Sequence, residues 1–177
     1  RQLASINGTW NLPFRSQRRL IAGWSLSGIV SMQTGFPFSP QLGYNPTGSG
    51  DSRNPVRPDR NPAFSGPLYT HTVGEWFNPA AFSSPIAGTV GNLGRDTLTG
   101  PGMKELDLSA GKTTTIRERL QMQFRAEFFN IFNHTNFNTP NTVVLTSATS
   151  GPSPTAGVIT STATTSRQIQ FGLKLLW

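Results

Sequence analysis

Apolar and polar residues alternate strictly along five segments of the chain. In one of them, the sequence alternates at every position: Leu120, Gln121, Met122, Gln123, Phe124, Arg125, Ala126, Glu127 and Phe128. Successive side chains of a β-strand point to opposite faces, so each segment predicts a strand with one apolar and one polar face. The predicted strands cover residues 2–13, 20–34, 104–116, 119–132 and 167–177.

The predicted strands are long, and their connections alternate between short and long. Each strand has about ten residues or more, which a tilted strand needs to cross a bilayer, whereas soluble sandwich strands usually have about five or six. Short turns follow the first and third strands, while residues 35–103 and 133–166 form long connections rich in Pro, Gly, Ser and Thr. Outer-membrane barrels combine short periplasmic turns with long extracellular loops.

These patterns predict an all-β fold in the bacterial outer membrane. Its antiparallel up-and-down strands, about five in number, would form the C-terminal part of a large transmembrane β-barrel, with long irregular extracellular loops. The chain has no run of about 18 apolar residues, and only helices and closed barrels satisfy every backbone group in lipid. Membrane lipid is therefore an expected partner.

The last predicted strand ends on an aromatic residue. Counted back from that end, every second position is apolar: Ile169, Phe171, Leu173, Leu175 and Trp177. Placing this end at the periplasm puts both short turns on the same side. Trp10, Trp24 and Trp177 then lie toward the periplasmic rim, where amphipathic rings prefer the membrane interface. We predict that they form a periplasmic aromatic girdle.

Composition and charge narrow the function classes. Only 13% of the residues are charged and there is no Cys, which excludes disulfides and thiolate metal sites. The net charge of +7 suggests nucleic-acid binding, but the arginines cluster in connections, as at Arg15, Arg18 and Arg19, and follow no strand face. We therefore predict no nucleic-acid partner. Lys112 is the one charge predicted near the periplasmic end of a lipid-facing strand, where its stem could reach the headgroups.

The remaining candidate residues are polar and indicate no catalysis. Asp107, Arg125 and Glu127 are predicted to face the lumen, where they would contact a plug, line a transport path or simply satisfy one another. Arg53, Asp59 and Arg60 in the long connection are candidates for substrate contact. His71 and Glu75 have the i, i+4 spacing of metal ligands but no third ligand nearby. We predict no catalytic residue, no metal, no cofactor and no enzyme activity.

Several motifs occur in a fixed order along the chain. They are Trp76–Phe82 (WFNPAAF), Gly91–Arg95 (GNLGR), Gly100–Gly102 (GPG), Asp107–Ser109 (DLS) and Arg125–His134 (RAEFFNIFNH). This set resembles the C-terminal barrel region of Oar-like TonB-dependent receptors. The last strand resembles the β-signal that the barrel-assembly machinery recognises, with Trp177 where Phe is usual.

The resemblance implies partners outside this chain. It implies an N-terminal plug, the remaining barrel strands, an energy-transducing TonB complex and the barrel-assembly machinery. The expected function is energy-coupled uptake of an unidentified substrate. One alternative is a passive or structural outer-membrane barrel, and another is a soluble basic β-protein that binds glycan or nucleic acid.

Overall fold

The computed structural model describes residues 1–14, 21–51 and 56–177. A 3-10 turn spans Pro79–Ala81. The strands, in chain order, are β1 (Leu3–Asn11), β2 (Trp24–Gln33), β3 (Pro37–Phe38), β4 (Gln41–Leu42), β5 (Asp59–Arg60), β6 (Phe82–Ser83), β7 (Leu98–Thr99), β8 (Met103–Arg117), β9 (Leu120–Phe129), β10 (Val143–Leu145) and β11 (Gln168–Leu176). Across these described ranges, no helix has the length and hydropathy that a membrane crossing needs.

Some sequence-based predictions fall outside the described residues. They concern the arginine cluster of the first short turn, the start of the second predicted strand and one candidate for substrate contact: Arg15, Arg18, Arg19, Leu20 and Arg53.

The chain forms two compact units. The sheet unit comprises Arg1–Thr34, Gly102–Asn136 and Ala163–Trp177, and the loop unit comprises Gly35–Pro101 and Phe137–Thr162. The sheet unit thus contains the long strands, while the loop unit contains most of both long connections.

The sheet unit is a five-stranded sheet with the order β1-β2-β8-β9-β11, in which every neighbouring pair is antiparallel. The all-β, antiparallel, up-and-down prediction is confirmed. Two boundaries differ by three residues or more. The second predicted strand starts at residue 20, whereas β2 starts at Trp24, directly after Gly23 with its left-handed φ of 80°. The fourth predicted strand runs to residue 132, whereas β9 ends at Phe129. It ends there because Asn130 adopts a left-handed backbone conformation, with a φ of 48°, which a strand cannot continue through.

The register keeps one apolar and one polar face across all five strands. One cross-strand row joins Trp10, Leu26, Ala110, Ala126 and Phe171. Even-numbered residues of the first four strands and odd-numbered residues of β11 therefore share what we call the apolar face. Large side chains on this face are solvent-exposed within the chain, as an apolar patch that a membrane covers would be.

The loop unit has little regular structure but has a hydrophobic core of its own. Its short strands pair as β3 with β7, β5 with β6, and β4 with β10, the last pair joining the two long connections. The alternation pattern predicts irregular connections and gives no sign of this packing. The core comprises Phe38, Leu42, Phe77, Ala81, Phe82, Leu93, Leu98, Val144, Leu145 and Ala156.

Candidate functional site

Three charged residues, Asp107, Arg125 and Glu127, lie on the polar face of the sheet. Arg125 and Glu127 form an ion pair, with 3.5 Å between Nη1 and Oε1. The Arg125 side chain is 68% exposed, and exposed ion pairs contribute little to the free energy of unfolding. The Arg125 guanidinium is therefore accessible to a ligand or to another polypeptide segment on this face, while the Glu127 side chain is only 26% exposed.

Glycines flank Arg125 on both neighbouring strands. Gly111 on β8 and Gly172 on β11 are its register partners. Because glycine has no side chain, the guanidinium is not covered by its immediate cross-strand neighbours. This arrangement suits an approach to the polar face by an anionic group.

Asp107 does not belong to this ion pair, although the sequence grouped the three residues together. Its Oδ1 accepts a hydrogen bond of 2.8 Å from the backbone N–H of Asn130, just beyond β9. Asp107 therefore stabilises the end of a strand. Sequence reasoning also missed Glu105, which lies two positions away on the same face and which the same alternation identifies.

Asn130 explains the asparagine-rich end of the Arg125–His134 motif. It is only 2% exposed. Its side-chain amide donates to the carbonyls of His134, at 2.9 Å, and Thr165, at 3.1 Å, while its Oδ1 accepts from the His134 N–H at 2.9 Å. These bonds connect the segment that follows β9 to the segment that precedes β11.

A second buried asparagine, Asn136, holds the start of β8. Its Oδ1 accepts from the Lys104 backbone N–H at 2.8 Å, and its Nδ2 donates to the Lys104 carbonyl and the Thr164 hydroxyl, both at 3.0 Å. The backbone of Lys104 is therefore held from both its donor and its acceptor side.

Two of the predicted girdle residues are close together on the apolar face. Trp10 is the register partner of Leu26, and Trp24 that of Lys112. Lys112 is 9% exposed; its Nζ donates to the Ala22 carbonyl at 2.7 Å and lies 4.9 Å from the centroid of the Trp24 ring. The register thus places Lys112 on the apolar face, where a carbonyl and an indole contact its charge.

Trp177 follows β11 and is 94% exposed. Within the part of the chain that the structure describes, β11 is an edge strand that pairs only with β9. The apolar side of this strand is exposed at Ile169, Phe171, Leu173 and Leu175. Its role as an assembly signal and the membrane girdle both stay predictions.

In the loop unit, the Trp76–Phe82 motif builds the centre of the core. Phe77 is fully buried and contacts the rings of Phe38 and Phe82. Asn78 caps the 3-10 turn by accepting a hydrogen bond of 3.0 Å from the Ala80 N–H, and Pro79 begins that turn. The motif is therefore structural: its aromatic residues pack in the core, and Asn78 starts a local turn.

Glycine in the Gly91–Arg95 motif permits a close backbone approach. A Cβ at Gly91 would collide with the carbonyls of Arg57 and Pro58. Arg57 Nε donates to the Leu93 carbonyl at 2.6 Å. The motif thus packs against the segment that leads into β5.

The candidate substrate contacts Asp59 and Arg60 are both bound to Asn92. Asp59 Oδ1 accepts from the Asn92 N–H at 2.7 Å, and Asn92 Oδ1 accepts from the Arg60 N–H at 3.0 Å. Arg60 lines a cavity of about 250 Å³ whose other walls come mainly from core residues such as Phe82, Leu93 and Leu98. Asp59 is therefore structural, whereas Arg60 borders a space that a small ligand could enter.

The structure does not bring His71 into a metal site. His71 stacks on Tyr69 with 5.0 Å between ring centroids and meets the edge of Trp76 at 4.9 Å. Thr72 and Glu75 close a turn through their own hydrogen bonds, so the helical spacing of His71 and Glu75 is not realised. Among the described residues, no three His, Asp or Glu side chains are grouped to hold a metal ion.

Comparison with known proteins identifies the family. The family model of the outer membrane beta barrel domain matches residues 1–170. No curated protein and no solved structure matched the chain. The match covers every long strand at least in part and agrees with the two-faced antiparallel sheet. The chain belongs to the outer-membrane β-barrel domain family and is located in the bacterial outer membrane, in contact with membrane lipid.

Proposed function

We propose that the chain is the C-terminal part of a TonB-dependent receptor that takes up a substrate across the outer membrane. The observation that carries this proposal is the loop unit. Its two long connections pack around a shared core, and the first of them borders a cavity lined by Arg60. A passive pore needs no such unit, whereas a receptor needs a preformed surface that selects its substrate. The ordered motifs that resemble Oar-like receptors support the same conclusion.

In this proposal, the polar face of the sheet lines the lumen. The exposed Arg125–Glu127 pair then contacts the plug or the transported substrate, because it contributes little to stability and is open to the lumen. The charge of Glu105 lies on the same wall. Trp10, Trp24 and Trp177 form the periplasmic girdle, and β11 engages the barrel-assembly machinery. The protein acts by binding and movement, without a catalytic step.

A binding experiment tests the energy-coupled class. The intact protein would be reconstituted in lipid nanodiscs and titrated with the purified periplasmic domain of TonB, with an unrelated outer-membrane porin as the control. We expect saturable binding to the protein and none to the porin. Absence of binding, together with steady ion conductance in planar bilayers, would instead identify a passive barrel.

A further inference from the structure

A groove on the sheet unit exposes mainly apolar surface and has a volume of about 430 Å³. Val30, Met32 and Leu106 contribute to it from the apolar face, and Phe132, which is 77% exposed, lies at its border. Asn130, His134, Lys104 and Glu105 complete the lining. By strand alternation, the side chain of Glu105 points to the opposite face. A groove with these walls accepts a hydrocarbon chain better than a polar ligand.

The charges of the sheet are distributed unequally between its two faces. The carboxylates of the long strands, Glu105, Asp107 and Glu127, all lie on the polar face, whereas Lys104 and Lys112 both lie on the apolar face. Among the described strand residues, the apolar face thus carries cations and no carboxylate. Its charge is complementary to an anionic lipid headgroup.

The two lysines differ in what their ammonium groups contact. Lys112 donates to the Ala22 carbonyl and lies against Trp24. Lys104 is exposed. Its backbone is held by Asn136, and in the described part of the chain its Nζ has no hydrogen-bond or ion-pair partner. Lys104 is therefore a positioned cation with an unused charge.

The spacing of the lysines places them at opposite membrane interfaces. Eight positions of β8 separate Lys104 from Lys112, which corresponds to about 26 Å along a strand and to about 20 Å along the normal of a tilted one. This is close to the height of the apolar band of an outer-membrane barrel, about 25 Å. Lys104 therefore lies at headgroup level on the side where the long connections leave the sheet, with the groove beside it.

We propose that this groove is a binding site for an anionic, phosphate-bearing membrane lipid. One acyl chain occupies the groove along Leu106 and Phe132, and the ammonium of Lys104 binds the phosphate. The proposal requires the apolar face to face lipid and does not depend on energy-coupled uptake.

A lipid titration of the intact protein tests the headgroup contact. The protein, solubilised in a non-ionic detergent, would be titrated with phosphatidylglycerol or phosphatidylcholine of identical chains, and bound lipid would be counted by native mass spectrometry. We expect Lys104→Gln to reduce the preference for phosphatidylglycerol about fivefold, since one cation at an anionic surface contributes about that factor. The matched control is Lys174→Gln on the polar face, which should leave the preference unchanged.

A second variant tests the acyl-chain contact. Phe132→Ala should weaken the binding of both lipids by about three- to tenfold, because the groove loses part of its apolar wall. The preference for phosphatidylglycerol over phosphatidylcholine should stay constant. The control Phe14→Ala removes another exposed Phe from the sheet unit, away from the groove. It should change neither the affinity for the two lipids nor the preference between them. An unchanged preference in Lys104→Gln, or equal effects of Lys104→Gln and Lys174→Gln, would overturn the proposal. Far-UV circular dichroism establishes that each variant is folded.

Discussion

Asn130 stabilises the end of β9 through both its backbone and its side chain. A non-glycine residue with a φ of 48° is strained unless its surroundings compensate, and Asn tolerates this conformation better than most residues. Here the compensation consists of the bonds from the Asn130 side chain to His134 and Thr165 and the bond that the Asn130 backbone N–H donates to Asp107. Asn133 has the same conformation, with a φ of 52°, but is exposed, and its Oδ1 accepts one hydrogen bond from the backbone N–H of Arg167.

The two asparagines make a matched pair for measuring these bonds. We expect Asn130→Gly to lower the free energy of unfolding by about 1–3 kcal/mol, because the hydrogen bonds of the buried Asn130 side chain to His134 and Thr165 are lost. Asn133→Gly should cost less than about 1 kcal/mol, since its position is exposed. Both replacements relieve the same backbone strain, so the difference between their costs reports the side-chain hydrogen bonds of Asn130. Urea unfolding in lipid vesicles, followed by tryptophan fluorescence, measures both free energies of unfolding. Equal costs would contradict a stabilising role for the Asn130 side chain.

At the scale of elements, the strands are determined by alternation and the strand ends by specific bonds. Every long strand was predictable because period-two alternation on a half-buried surface has one structural solution. The end of β9 was not, because the apolar residues Ile131 and Phe132 extend the predicted strand past the point where Asn130 turns the chain. Alternation also predicted that Arg125 and Glu127 lie on the same face, because they are two positions apart on one strand. The bond between Asp107 and Asn130 was not predictable, since it joins β8 to the segment that follows β9.

The two faces of β8 should respond differently to the same charge. Leu108 is on the apolar face between Gly28 and Phe128, midway between Lys104 and Lys112, and Ser109 is on the polar face between Ser27 and Glu127. We expect Leu108→Lys to cost about 2–4 kcal/mol, the cost of a lysine facing mid-bilayer lipid. Ser109→Lys should cost less than about 1 kcal/mol, because that face is polar. Reversible unfolding in vesicles compares them, and similar costs would mean that the faces are wrongly assigned.

At the scale of the whole molecule, the chain combines a sheet with little internal core and a loop unit that has one. The apolar face of the sheet gains its stability from lipid, whereas the loop unit buries Phe77, Leu98 and Val144 within the chain. Long connections are usually mobile, but a shared hydrophobic core orders them. The loop unit should therefore respond to core mutations as a small folded domain does.

Truncating the centre of that core tests this. Phe77→Ala should destabilise the loop unit by about 3–5 kcal/mol, the usual cost of removing a buried Phe side chain. Limited proteolysis should then cut within residues 35–101 and 137–162, while the strands of the sheet unit stay protected. Phe36→Ala, at an exposed position of the same unit, is the control and should leave the digestion pattern unchanged. Simultaneous loss of protection in the sheet would show that the two units do not unfold separately.

The candidate site was only partly predictable. Alternation placed Arg125 and Glu127 on one face but gave no reason to single out Lys104, whose importance depends on the groove beside it and on Asn136 beneath its backbone. His71 and Glu75 have the spacing of two metal ligands on a helix, whereas hydrogen bonds between Thr72 and Glu75 close a turn there. Such contacts depend on residues far apart in sequence, which a local pattern does not report.

The sequence by itself determined the fold class, the long strands and their two faces. It could do so because strand alternation is local: a residue's face depends only on its parity and on its neighbours. Only the tertiary structure decided how the long connections pack, which charges are already bonded and where an apolar groove meets an unpaired cation. These features depend on contacts between distant segments, such as β4 with β10 and Asn136 with Lys104, and no periodicity along the chain encodes them.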